Sequence, residues 1–468
     1  MMCTVRRLDT DYLVVGAGAT GMAFADALID HADVHVTLVD RRHAAGGHWN
    51  DAYPFVQLHQ ASAFYGVAST VLGGGAIQQD GPEAGLQERA RRAEIQAYYD
   101  DILYRRFLGS GRVTFLPASG YLGEDGGLHR VVSHVSGEHV EVDVRRRLVD
   151  ATYLAPTIPA TTPPPFGIAD GARVVAVNDL SAVVDTPSAY VIVGAGKTAT
   201  DAIVWLLRSG VEPDRIMWIR SRDPWMLNRA CVQPDPIVAL SLAADTFEAA
   251  ASSASPDEMF LRLEAAGVML RIDPDVVPTM AKTPTLGTWE LELLRTIDNV
   301  VRNGHVKVVT SSGIEFEGAV VSLPSKSLVV HCAASGLQYP PMVPIWGPDK
   351  VRVQTSRAGF PCFNAALTGF VEATRDDDRE RNRLCPVNTL PNTTTDWSEM
   401  QSRGAAAAAA FGAEPDIAVW ANSCALNPAR IEPAERDLPE VRAAAARVGE
   451  HAPAGRARLT EFAGHRIS

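Results

Sequence analysis

Tyr12-Leu13-Val14-Val15-Gly16-Ala17-Gly18-Ala19-Thr20-Gly21 decides the fold of this 468-residue chain. An apolar run of strand length enters Gly16-x-Gly18-x-x-Gly21, and the eight residues from Met22 to Ile29 continue with helix-like apolar spacing. Residues 34–39 read as the next strand, which ends on Asp40, 24 residues after Gly16. The unit is strand, glycine turn, helix, strand, acid. Gly16 permits the tight turn, Gly18 lets backbone approach a pyrophosphate, and Gly21 lets the helix pack closely on the strand. Phosphates would sit on the amides of Ala19 and Thr20, at the positive end of the helix dipole. Asp40 is placed to accept hydrogen bonds from a ribose diol.

The same unit recurs 178 residues later, where Tyr190-Val191-Ile192-Val193 enters Gly194-x-Gly196-Lys197-Thr198-Ala199. Its second strand, residues 215–219, ends on Arg220-Ser221-Arg222 and not on an acid. A carboxylate there repels a 2′-phosphate; a hydroxyl between two guanidiniums invites one through bidentate, charge-assisted hydrogen bonds. The second site therefore reads as NADPH-binding. Lys197 points the same way, because a cation in the first turn of a helix opposes the dipole unless a phosphate offsets it.

Composition fits a soluble globular chain: 46% hydrophobic, 21% charged. The formal net charge of −12 argues against nucleic acid or an anionic membrane surface as partner. The sequence suggests neither a membrane span nor a secretory signal, so the expected location is cytoplasmic. The six cysteines (Cys3, Cys231, Cys332, Cys362, Cys385, Cys424) are too widely spaced for a redox dithiol or a zinc cluster. No metal is expected.

The length predicts more than one core. The fold class expected is α/β with two Rossmann-like dinucleotide-binding domains, the first interrupted by the second, plus a helical insert and a helical C-terminal region. Residues 1–160 and 333–468 are assigned to the FAD domain, 161–185 to a Pro-rich crossover, and 186–332 to the NADPH domain with its helical insert around 236–270. Apolar spacing predicts an amphipathic helix over 92–108. Further helices are expected over 289–301, in the Ala-rich stretch past residue 400, and around 439–448.

Two nucleotide sites on one chain are explained by one permanently bound dinucleotide and one that comes and goes, so that hydride passes from nicotinamide to flavin. Over most of residues 10–370 the chain resembles the two-dinucleotide-domain flavoproteins, and among them the flavin-containing and Baeyer–Villiger (class B) monooxygenases. The resemblance rests on Gly16 to Gly21 with Asp40, on Gly46-Gly47-His48-Trp49, on Trp49-x3-Tyr53-Pro54, and on Gly194 to Ala199. Segments corresponding to the family's Ala-Thr-Gly crossovers read Ala151-Thr152-Tyr153 and Ala334-Ser335-Gly336. The monooxygenase fingerprint FxGxxxHxxx(Y/F) is not matched by residues 175–180, and His59 stands where Baeyer–Villiger relatives carry an aspartate beside the flavin.

The resemblance implies bound FAD and NADPH. Gly47, His48 and Trp49 would run beside the FAD diphosphate and ring, and Thr152 would lie at a crossover. Asn364 would contact the flavin pyrimidine from a helix start at 360–366. His59, with Gln60 beside it, is the candidate catalytic residue, a donor to the flavin or to a peroxide. The implied activity is oxygenation of a small organic substrate by O₂ through a flavin C4a-(hydro)peroxide. An NADPH-dependent flavin reductase that never oxygenates a substrate is the alternative. A homodimer is a further expectation.

Overall fold

The computed structural model describes residues 6–464, so Cys3 lies outside the described residues. The first sheet runs in the order Val113–Leu116, Val36–Val39, Arg6–Val15, His139–Asp150, Leu128–Ser133, Ser119–Asp125. Lys350–Arg352 pairs with the end of His139–Asp150. The first four strands are parallel, and the last two fold back as an antiparallel meander. Leu13, Val14 and Val36 to Val39 are buried on both faces, which is why the parallel strands read as continuous apolar runs. Helix Ala19–His31 lies under helix Pro361–Thr374, close enough that a Cβ on Gly369 would stand 2.3 Å from the Phe24 carbonyl oxygen.

The second sheet is parallel throughout: Val174–Ala176, Leu328–His331, Tyr190–Val193, Ile216–Ile219, Val300–Val301. Residues 161–185, expected to be only a crossover, supply its edge strand. They also add Gly167–Ile168 to a small sheet with Val308–Val309, Gly313–Phe316 and Ala319–Ser322. The helix expected over 289–301 is confined to Thr288–Leu294. The Asn299 carbonyl accepts the Trp218 amide at 2.9 Å, and the β-branched pair Val300–Val301 extends the sheet.

The predicted amphipathic helix begins as Arg92–Asp101 and widens into a π-turn over Ile102–Phe107. Ile95, Tyr99, Ile102, Leu103 and Phe107 are buried as the spacing requires. The insert forms Pro236–Ala251, capped by the Asp235 carboxylate, and Pro256–Ala265, capped by Ser255. The last helix, expected over 439–448, runs through Pro453 as Pro439–Phe462. It lies along Pro236–Ala251. A Cβ on Gly455 would meet Phe247 at 2.6 Å, and Arg447 bridges Asp245 and Glu248 at 2.6 Å each. The last C-terminal helix therefore packs on the insert, and no described helix is long and apolar enough to cross a membrane.

Candidate functional site

In the first unit, Gly16 has φ +104°, and a Cβ there would stand 2.8 Å from the Thr152 methyl carbon. A Cβ on Gly21 would lie 1.9 Å from the Gly16 carbonyl oxygen. Gly47, at φ +58°, meets Gly18 so closely that a Cβ would stand 2.8 Å from the Gly18 Cα. The two glycine segments therefore form one backbone surface. Helix Ala19–His31 starts on Gly18 with no side-chain cap and no acid in its first turn, which leaves its leading amides to an anion. Thr20 donates its hydroxyl to the Ala151 carbonyl at 3.1 Å. Asp40 is buried at the strand end and ties the turn together, accepting the amides of Ala17 at 2.7 Å and Arg42 at 2.8 Å. Each of its oxygens keeps a lone pair for a ribose hydroxyl.

Trp49 is buried, donates its indole N–H to the Tyr65 hydroxyl at 2.6 Å, and stacks on His48 at 5.4 Å. Asn364 does not have the expected role. Its carboxamide accepts the amides of Ser356 (2.9 Å) and Arg357 (2.7 Å) and donates to the carbonyls of Gly359 (2.6 Å) and Phe360 (3.0 Å). It pins the turn in which Phe360 takes φ +54°, leaving no polar atom for a ligand.

The second cradle repeats the first. Helix Lys197–Arg208 starts uncapped on Gly196, and no atom lies within 4 Å of where a Gly196 Cβ would stand. Gly194, at φ +141°, packs against the Cys332 carbonyl; Ala199 takes the third position. Thr198 sits in the first turn, with its hydroxyl beside that of Tyr53. Lys197 departs from expectation: its ammonium is paired with Asp201 and lies 3.2 Å from Glu290, so protein carboxylates offset its unfavourable place on the dipole.

Arg222 turns away as well, donating to the Thr279 hydroxyl (3.2 Å) and the Asn392 side-chain oxygen (3.1 Å), while Ser221 is exposed. Arg220 is 2% exposed, lies over the Trp218 ring at 4.4 Å and pairs with Asp223 at 3.0 Å; burial pushes it down to about 10. Its Nε has no hydrogen-bond partner, while its Nη1 is the atom held in the ion pair with Asp223. Of the three residues at the strand end, Arg220 keeps an unused donor, its Nε.

Between the cradles runs a chain of ions, buried at Glu83, Arg89, Arg229 and Glu290 and half-buried at Lys197 and Asp201. Arg89 pairs with Glu83 (2.9 Å), Glu83 with Arg229, Arg229 with Glu290 (2.5 Å), Glu290 with Lys197, and Lys197 with Asp201. The Tyr53 hydroxyl closes it on Asp201 at 2.7 Å. The signs alternate and cancel. Lys197 and Arg229 outweigh burial and hold Glu290 down to about 2.

The chain grips His59. Arg229 Nε donates to the His59 carbonyl at 2.9 Å, and Arg89 Nη1 donates to the Leu58 carbonyl at 2.8 Å. His59 Nδ1 accepts the Thr285 amide at 3.3 Å, which puts the ring proton on Nε2. Burial, then Lys197 and Arg229, push this histidine down to about 3, and Gln60 follows it half-buried. At neutral pH His59 is thus a neutral N–H donor, not an imidazolium acid.

Burial, then Arg42, likewise pushes His48 down to about 4. Both histidines take up a proton near pH 6.5 when unfolded, so the unfolded chain binds more protons as pH falls below that value. The contribution of these two histidines is fully present well above pH 6.5 and should fall by on the order of 5 kcal/mol by pH 4. Denaturant midpoints at pH 7.5, 6, 5 and 4 measure this; His48→Gln with His59→Gln should flatten the slope.

Residues 14–64 match the sequence signature of the NAD(P)-binding Rossmann-like domain. An uncharacterised protein of Mycobacterium tuberculosis (strain ATCC 25618 / H37Rv) is 40% identical over 425 residues, covering 90% of this chain and 78% of its own length. One from Mycobacterium bovis matches to the same extent. Among solved structures, an oxidised steroid monooxygenase bound to NADP superposes with TM-score 0.50 at 15% identity, over 78% of this chain and 85% of that one.

Proposed function

The chain belongs to one family with these mycobacterial proteins, and on that premise and the paired cradles we propose that it is an NADPH-dependent flavin monooxygenase acting on a small organic molecule. One observation carries the reading: two uncapped helix starts, each entered through glycines, stand in a single chain. The residues fit the two groups. The amides of Ala19 and Thr20, the joined surface of Gly18 and Gly47, and the buried carboxylate of Asp40 would hold FAD. The open face of Gly196, the amides of Lys197 and Thr198, and the guanidinium of Arg220, whose Nε has no partner, would hold NADPH.

Bound FAD supplies hydride acceptance and, once reduced, reaction with O₂. The protein's own part is to fix both dinucleotides and to keep water from the reacting region. His59 offers a neutral Nε2–H donor whose orientation Thr285 sets. The proposed partners are the substrate and O₂.

Anaerobic NADPH should bleach the bound flavin, and air should then give oxygenated product from amines, sulfides or ketones in preference to H₂O₂. Stoichiometric H₂O₂ with every substrate would replace oxygenation by simple reduction. Colourless protein that cannot be reconstituted with FAD would end the proposal.

Cofactor preference tests the second cradle. Arg220→Gln should narrow the preference for NADPH over NADH by about 10- to 100-fold, the value of ~1.5–3 kcal/mol for hydrogen bonds to a charged group. Arg222→Ala should change it by less than about threefold, because its donors already serve Thr279 and Asn392. Ratios of kcat/KM for the two nucleotides decide the matter.

A further inference from the structure

Among the described residues four arginines are buried, and each is paired with a carboxylate: Arg89 with Glu83, Arg220 with Asp223, Arg229 with Glu290 and Arg381 with Glu372. Arg357 is half-buried, and no described carboxylate pairs with it. Burial pushes its guanidinium down to about 10, and no neighbouring charge opposes or adds to that effect. The chain carries 55 acidic residues against 43 basic ones, so carboxylates are not scarce. A partly desolvated cation without a counter-ion is costly to the fold, and an incoming anion relieves that cost.

The guanidinium is nevertheless held in place. Its Nη1 donates to the Asn427 side-chain oxygen at 2.7 Å. Asn427 is buried and fixed in turn, accepting the Ala429 amide at 3.1 Å and donating to the Ala421 carbonyl at 2.9 Å. The Arg357 backbone belongs to the turn that Asn364 pins, and the next residue packs on helix Thr394–Gly412, where a Cβ on Gly404 would stand 2.7 Å from the Ala358 nitrogen. Nε and Nη2 have no protein acceptor, and neither is among the fully enclosed polar atoms, so both keep accessible surface. These two nitrogens form one edge of the guanidinium, whose parallel N–H bonds match the two oxygens of a carboxylate. The same turn reaches the segment of His59: the Phe360 ring meets Phe64 edge-on at 5.0 Å.

We propose that the Nε–Nη2 edge of Arg357 binds the carboxylate of a small organic acid, and that this acid is the molecule oxygenated; its role as substrate rests on the flavin reading. One guanidinium balances one charge, which fits a carboxylate and leaves a phosphate dianion half compensated. Asn427 and the pinned turn set the guanidinium in advance, so little side-chain ordering is needed on binding.

Calorimetric titration of the purified full-length protein with phenylacetate and hexanoate, each beside its primary amide, tests this. Both acids should bind about tenfold or more tightly than their amides. Arg357→Met should bring the acids down to the level of the amides and leave the amides unchanged. Arg357→Lys keeps the charge and loses the fork, so its acid affinity should fall between the two. Acids and amides of equal affinity, undiminished acid binding in Arg357→Met, or no binding of either acid at millimolar concentration would each overturn the proposal. The wild-type comparison of acid with amide decides even where a variant does not fold. The titration involves neither NADPH nor O₂, so its failure leaves the two-nucleotide reading standing, whereas failure of the flavin reading shows as colourless protein and not in this titration.

Discussion

Gly21→Ala is expected to yield protein without bound flavin. Its new methyl group would stand 1.9 Å from the Gly16 carbonyl oxygen, so the helix must lift away from the turn. Overpacking of this kind costs ~1–3 kcal/mol in itself. The displaced amides of Ala19 and Thr20 also lose charge-assisted hydrogen bonds to phosphate, each ~1.5–3 kcal/mol. FAD affinity should then fall at least ~100-fold. The second unit supplies the control, because Ala199 already occupies the equivalent position there. Ala199→Gly should leave FAD binding unaltered. Visible absorbance of the isolated variants, and titration of the apoproteins with FAD, read the result; a Gly21→Ala variant as yellow as wild type would mean the phosphates lie elsewhere.

The second large effect concerns Glu83. Its carboxylate sits between Arg89 and Arg229, with side-chain exposures of 6%, 5% and 1%, and also accepts the Trp289 indole N–H at 3.0 Å. Glu83→Gln keeps the shape and removes the charge, leaving two buried guanidiniums competing for one carboxylate, that of Glu290. Breaking a buried pair from one side costs ~3–5 kcal/mol. The denaturant midpoint should fall accordingly, and Arg89→Met added to Glu83→Gln should recover part of the loss, because one orphaned cation is then gone. Additive losses would show that the two side chains do not share the network.

Both nucleotide units were legible because their information is local. Turn, helix start and strand end fall within 25 residues, and each glycine has a steric reason visible at close range. The ion chain was not legible. Lys197 and Asp201 are an i,i+4 pair on one helix, and Glu83 and Arg89 share one loop. Tyr53, these two pairs, Arg229 and Glu290 nevertheless come from separate segments, and no periodicity relates the segments. Arg220 and Arg222 look equivalent in sequence, yet one is buried with its Nε unpartnered and the other reaches across to Asn392. Asn364 misled for a related reason. A carboxamide beside a helix start suits a ligand or the preceding turn equally well, and only the positive φ of Phe360 shows which one it serves. The edge strand at 174–176 was hidden by its brevity and by the prolines before it.

The pairing of Pro439–Phe462 with Pro236–Ala251 bears on how the chain is made. A ribosome completes the insert helix long before it reaches its partner. With almost two hundred codons in between, and synthesis at ~5–20 residues per second, Phe247 and Ala250 wait roughly 10–40 s for cover. Throughout that interval the apolar stripe of the insert helix lacks the cover that the last helix gives it in the finished fold.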